Sequence, residues 1–268
     1  EVGRGEFIHL IEVFNQMSSG LKERLNLLQT LEKLLSKELA EKAATSGLVL
    51  GGQEADVTIM FTDFASFSTL TQSMDAMEVV EALNFYFKEL IGIVKQSGGF
   101  PDKYTGDAIV AIFDAPVPLE DHAERAALCA IQMQRCLRRI NDARRAEGKL
   151  VFEMRIGLNS GHVVVGAIGC DDKLEYTSIG ETTNLANRME AAAAIGHLAI
   201  TEETYRRIDI SNLGQVAIDK PIPLEVKGYP QAVMTSRVWV SPTRITKNAN
   251  RKSAADFYIY EEADKSQA

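Results

Sequence analysis

The stretch VTIMFTDFASFSTLT at residues 57–71 decides how the rest of the chain is read. Residues 57–61 form a β-rich apolar run, and a carboxylate, Asp63, stands directly where that run ends. Ala65-Ser66-Phe67-Ser68 then leads into Thr71, a small and polar turn. A buried strand ending in an acidic residue and a tight turn sets chemistry at the edge of a sheet. The sheet fixes the carboxylate while the edge stays open to ligands.

Outward from this strand, residues 75–97 carry Val80, Leu83, Phe87, Leu90, Ile91 and Val94 at helical spacing, closed by Gly98-Gly99. Two short strands follow around Gly106, the second over 107–113. Pro116 and Pro118 break the chain, and Asp121 is read as the cap of a helix reaching about Glu147. Residues 150–159 and 163–168 read as two strands joined at Gly161. The order over 57–159 is β-α-β-β-α-β, an α+β, ferredoxin-like core: an antiparallel sheet with helices on one face. A second set of helix and strand completes 170–240.

The N-terminal 6–40 has a different grammar. Phe7, Leu10, Phe14, Met17 and Leu21 alternate steps of three and four, the seam of a coiled coil. The seam continues through Leu25, Leu28, Leu31 and Leu35, with consecutive four-residue steps around Leu21 that resemble a stutter. Ser46-Gly47 and Gly51-Gly52 mark the break before the domain over 51–240. The last segment, 241–268, opens on Ser241-Pro242 and a basic patch (Arg244, Lys247, Arg251, Lys252). It reads as a mostly flexible tail in which 257–260 could dock.

Composition is that of a globular protein: 268 residues, 46% apolar, 25% charged. No apolar run reaches the length of a membrane span. The net charge of −8 argues against nucleic acid as a partner, and any bound polyphosphate needs locally concentrated cations. The three cysteines, Cys129, Cys136 and Cys170, form no CxxC pair and read as small buried residues of a reducing compartment.

Chemistry concentrates in two places. Asp63 and Asp107, at adjacent strand ends, could hold a pair of Mg²⁺ ions for in-line displacement at phosphorus. The turn Ala65, Ser66, Phe67, Ser68 would offer backbone amides to phosphates. Farther on, EYTSIGETTNLANRME at 175–190 runs from strand through Gly180 into a helix opened by Thr182 or Thr183. Asn184 and Arg188 then lie four apart on one helix face, suited to a sugar or phosphate edge.

Four blocks together resemble the catalytic domain of class III adenylyl and guanylyl cyclases. They are VTIMFTDFASFSTLT (57–71), FPDKYTGDAIVAIF (100–113), MRIGLNSGHVVVGAIG (154–169) with EYTSIGETTNLANRME (175–190), and VKG (226–228). The resemblance implies that Asp63, Asp107 and the Phe64 carbonyl hold two divalent cations, Mg²⁺ or Mn²⁺. It implies that Lys103 and Thr177 read the base, with the lysine favouring ATP because adenine N1 is an acceptor. Asn184 and Arg188 would orient the ribose and stabilise the pentavalent phosphorus. Arg155 and Lys227 would contact the triphosphate and supply the local positive charge. None of the four histidines is placed as a general base, and His122 reads as a helix-entry residue. Ser66 stands where the family usually has Gly.

The resemblance further implies a homodimer, with metal aspartates from one chain and base- and ribose-binding residues from the other. Residues 1–24 resemble the second helix of a HAMP relay, and 25–50 a cyclase-transducing linker. The expected setting is a soluble fragment from the cytoplasmic side of a membrane-anchored receptor, with a sensor upstream. The expected reaction is ATP to 3′,5′-cyclic AMP and pyrophosphate. The alternatives are guanylyl or mixed specificity, or a catalytically inactive dimerisation module.

Overall fold

Strand β1 (Gly51–Phe64) is long and central because its apolar residues serve both faces. It pairs antiparallel with β3 (Ala108–Phe113) on one flank and with β4 (Met154–Cys170) on the other. The computed structural model describes residues 9, 11–22, 24–25, 51–72, 74–170, 173–214, 216–240, 243–246 and 259–262. The chain divides into two units, 1–50 and 51–268.

In the first unit residues 11–22 are helical, with Phe14, Met17 and Leu21 exposed along the expected seam. Phe7, Leu10, Leu28, Leu31, Leu35 and the linker over 26–50 lie outside the described residues.

In the second unit the sheet order is β2-β3-β1-β4-β6-β9-β7, with β5 on β4 and β8 on β9. The remaining strands are β2 (Phe100–Thr105), β5 (Lys173–Ile179), β6 (Leu198–Thr201), β7 (Val216–Ile218), β8 (Ile222–Leu224) and β9 (Val233–Val240). The pairs are antiparallel except β4 with β6, which are parallel. The sequence reading split β4 at Gly161, but one continuous strand runs through that glycine. It also starts at Met154 rather than 150, because Phe152 leaves the sheet to fill the core. In the tail, β10 (Thr243–Thr246) pairs with β11 (Ile259–Glu262), so this part forms a hairpin.

Helix α1 (Phe67–Thr71) is a single short turn after β1. Helix α2 (Ala76–Gln96) starts at Asp75, whose carboxylate accepts from the amides of Met77 and Glu78. It stops at Gly98, where φ is +81°, and the Gly99 amide closes on the Val94 carbonyl. Helix α3 (His122–Ala146) follows Asp121, which does not cap it by side chain; its carboxylate takes Arg125 Nε at 2.7 Å instead. Helix α4 (Glu181–Ala192) begins at Glu181, ahead of the expected start at Thr182 or Thr183. Helix α5 is Glu202–Arg206.

Helices α2 and α3 cover one face, where Met60, Phe64, Met154, Ile156, Leu158, Leu198 and Ile200 meet Tyr86, Leu90, Met133 and Leu137. Tyr86 donates to Asn141 at 2.7 Å, and Asn141 donates to the Phe152 carbonyl at 2.7 Å, so these two buried side chains are paired. Helix α4 departs from the one-face expectation. Its Met189 and Ala193 just beyond it pack with Val226 and with Ala199, whose strand parity is opposite to that of the main core. Gly157 makes this possible: a Cβ there would lie 1.9 Å from the Glu190 amide nitrogen. Of the cysteines, Cys129 and Cys136 are buried as expected, but Cys170 is exposed at the end of β4.

Candidate active site

The end of β1 is held by its aromatic neighbour. The Phe64 ring stacks on Phe152 at 4.9 Å and meets Tyr86 edge-on at 5.7 Å. Strand alternation then turns Asp63 to the opposite face, toward β4 and α4. Across the ladder Asp63 is opposite Arg155, and Arg155 Nη2 donates to Asp63 Oδ2 at 2.8 Å. Asp107 sits in the turn before β3, after Gly106 at φ +66°, rather than within the strand. It comes close enough to Asp63 for the two carboxyl groups to interact directly. Burial, and then the Asp63 charge, push the Asp107 carboxyl upward.

Glu190 completes this cluster, and the sequence reading missed it. Its Oε1 lies 3.3 Å from Arg155 Nε, with only 10% of the side chain exposed. Burial and the charge of Asp63 push its carboxyl up to about 7, while Arg155 pulls it down. The signal was available: Glu190 falls on the same buried stripe of α4 as Ala186 and Met189, an unusual place for a charge.

Two adjacent carboxylates, Asp107 being raised by its neighbour's charge, with one guanidinium paired to Asp63 and Glu190, form a site with excess negative charge. That donor set fits hard cations such as Mg²⁺, which take few protein carboxylates and complete their shell with carbonyl, water and phosphate oxygens. Among the described residues no group of three or more His, Cys, Asp or Glu side chains could hold a metal. The two carboxylates brought together there are Asp63 and Asp107.

In the phosphate turn, Ser66 adopts φ 59°, ψ 24°, the left-handed conformation that glycine takes without strain. The Ala65 amide is not free for a phosphate: it donates to the Glu153 carbonyl at 2.8 Å. The Phe67 and Ser68 amides, in the first turn of α1, have no intrahelical acceptor.

A second cluster forms around Asp102. Thr177 Oγ1 donates to Asp102 Oδ2 at 2.9 Å, and Lys103 Nζ lies 3.8 Å from the same oxygen and 3.7 Å from Glu175. The structure thus brings Lys103 and Thr177 together through a residue the sequence reading did not single out. Phe100 and Tyr176, two positions before Asp102 and one before Thr177, meet edge-on at 5.6 Å. Burial pushes the Asp102 carboxyl up to about 6, against the opposing pull of Lys103 and the Thr177 hydroxyl.

Asn184 and Arg188 are exposed on α4, on the side opposite Ala186, Met189 and Glu190. Lys227 is exposed in the turn between β8 and β9, beside the buried Val226. His122 opens α3 with its Nδ1 2.7 Å from Thr58 Oγ1 and takes no part in either cluster.

The family described as "Adenylate and Guanylate cyclase catalytic domain" matches residues 51–239. The chain is 34% identical over 185 residues to Adenylate cyclase 1 of Rhizobium meliloti, covering 68% of this chain and 28% of that protein. The chain therefore spans under a third of this curated relative. Among solved structures, the guanylyl cyclase Cya2 superposes with a TM-score of 0.65 at 31% identity, over 70% of this chain and 94% of that one. The adenylyl cyclase CyaB from P. aeruginosa gives a TM-score of 0.65 at 30% identity, over 72% and 97%.

Proposed function

The chain belongs to the adenylate and guanylate cyclase catalytic-domain family, and from that premise we propose that it converts ATP to 3′,5′-cyclic AMP and pyrophosphate. The observation that carries the choice of ATP is the meeting of Lys103 and Thr177 around Asp102. An ammonium donor complements adenine N1, and a hydroxyl oxygen complements the N6 amine. Guanine offers the reverse pattern, a donor at N1 and an acceptor at O6.

Asp63 and Asp107, with the Phe64 carbonyl, would hold two divalent cations, Mg²⁺ or Mn²⁺. When bound, these supply Lewis-acid activation of the ribose 3′-hydroxyl and charge neutralisation on the triphosphate. The chain's own residues do the rest. Asn184 orients the ribose so that the 3′-oxygen lies in line with the α-phosphorus. Arg188, exposed on α4, donates to the equatorial oxygens as charge gathers there. Lys227 binds the outgoing pyrophosphate. Ser66, Phe67 and Ser68 meet phosphate oxygens with backbone amides, joined by Ala65 once its amide leaves the Glu153 carbonyl. Arg155 contacts the triphosphate by exchanging Asp63 for phosphate oxygens.

The working form is a homodimer in which α4 of one chain faces the carboxylates of its partner. The exposed Phe14, Met17 and Leu21 suit a coiled coil that aligns the two chains. Upstream, a HAMP-like relay and a membrane sensor would set the angle at which the catalytic domains meet. No helix among the described residues is long and apolar enough to cross a membrane.

Product analysis with ATP and GTP in parallel, with each metal, tests the reading. Cyclic AMP from the unaltered chain, and at least about a 100-fold loss in Asp107→Ala, supports it. No cyclic nucleotide from either substrate refutes it, and cyclic GMP as the main product replaces ATP with GTP.

A further inference from the structure

Asp102 is the extra residue of a bulge in β2. Pro101 is opposite Ala111 and Lys103 is opposite Val110, so Asp102 has no partner of its own on β3. A bulge redirects the side chain it carries. Here the redirected carboxylate is only 3% exposed and lies against Thr177 and Lys103. A buried carboxylate must be paired: Thr177 donates a hydrogen bond to it and Lys103 supplies the opposite charge.

We propose that Asp102 fixes the direction of the Thr177 hydroxyl and thereby acts as a determinant of adenine over guanine. The inference rests on the adenylyl reading and adds a residue to it. A threonine hydroxyl has one proton and two lone pairs, so by itself it can donate or accept. An ionised carboxylate only accepts, so the hydroxyl proton points at Asp102 Oδ2, 2.9 Å away. What Thr177 then presents to a base is lone pairs alone. They suit the N6 amine of adenine and repel the O6 of guanine. Thr177 becomes a selective acceptor although its side chain is not selective. Asp102 touches no substrate in this account; it is a positioning residue acting through Thr177.

The second contact of Asp102, with Lys103, gives the obvious competing explanation: altering Asp102 could act by moving the lysine. The two routes separate in a double-mutant cycle. Asp102→Asn places an amide donor beside Thr177 and frees the hydroxyl proton to meet guanine O6. Asp102→Ala frees the proton without supplying a donor, so it moves the preference the same way and serves if the amide variant does not fold. Thr177→Val removes the hydroxyl altogether.

The experiment measures kcat/KM for ATP and for GTP with the unaltered chain, Asp102→Asn, Asp102→Ala, Thr177→Val and Asp102→Asn/Thr177→Val. The expected result is an ATP-to-GTP ratio lowered about tenfold or more by either Asp102 change, a loss of one polar discrimination. In the Thr177→Val background the Asp102 change should leave the ratio within about twofold. An unchanged ratio in folded Asp102 variants overturns the proposal, as does an equal shift with and without the Thr177 hydroxyl. If the unaltered chain prefers GTP, the adenylyl reading fails with it. If it prefers ATP and the ratio ignores Asp102, that reading stands and only this inference falls.

Discussion

Arg155 Nη2 donates to Asp63 Oδ2 at 2.8 Å, so the cation expected to meet the triphosphate is paired with a carboxylate expected to hold metal. The pairing has a simple electrostatic cause. Asp63, Asp107 and Glu190 gather around one guanidinium, and the local charge remains negative.

Removing that guanidinium should therefore expose the repulsion. Arg155→Ala should lose about 1–3 kcal/mol of stability without divalent cations, because three acids are left uncompensated. Added Mg²⁺ should raise its melting temperature more than that of the unaltered chain. Equal Mg²⁺ responses in thermal melts would show that Arg155 does not balance the metal carboxylates.

Glu190 predicts a pH dependence whose sign is fixed. Its carboxyl is raised from 4.5 to about 7, so the folded chain binds the proton that the unfolded chain releases between those values. Stability without metal should fall as pH rises from about 4.5 to 7 and level off above. The contribution is roughly 1–3 kcal/mol after allowance for partial solvation. Urea denaturation across that range checks it, and Glu190→Gln should flatten the slope. A slope that survives the substitution assigns the effect to other groups.

At Ser66, the left-handed backbone burdens a residue that has a Cβ. Ser66→Gly should stabilise the fold by up to about 1 kcal/mol, the relief of strain exceeding the added freedom of the unfolded glycine. Chemical denaturation measures this directly. Destabilisation would mean that the Ser66 side chain makes a compensating contact.

Tyr86→Phe removes the donor to Asn141 and leaves a buried carbonyl oxygen unpaired between α2 and α3. The expected loss is about 1–3 kcal/mol with a small change in shape. A neutral substitution, by the same denaturation measurement, would mean that water replaces the phenol.

The sequence made the strand over 57–61, part of the longer Gly51–Phe64, and the helices of the main face legible, because periodicity and turn residues report local structure directly. Gly161 was misleading: a glycine between two apolar runs looks like a break, yet it lies within one strand, opposite Val57 of β1. Which face receives α4 was not legible, since an amphipathic helix specifies that it packs but not against which side of a sheet. The contact is set by Gly157, whose role depends on a helix 30 residues away in sequence or so. Asp102 and Glu190 escaped notice for a related reason. Their meaning comes from partners distant along the chain, Thr177 and Arg155, and no local pattern names those partners.

The central claim is that the exposed face of α4 and the paired carboxylates act together across a homodimer. Mixing two inactive variants, Asp107→Ala and Arg188→Ala, tests it most directly. Mixed dimers would contain one site with both residues intact and one with neither. The account predicts that each variant alone is inactive and that an equal mixture recovers about a quarter of the unaltered activity, since half the dimers are mixed and each has one intact site. No recovery, with both variants folded and exchanging subunits, would contradict it.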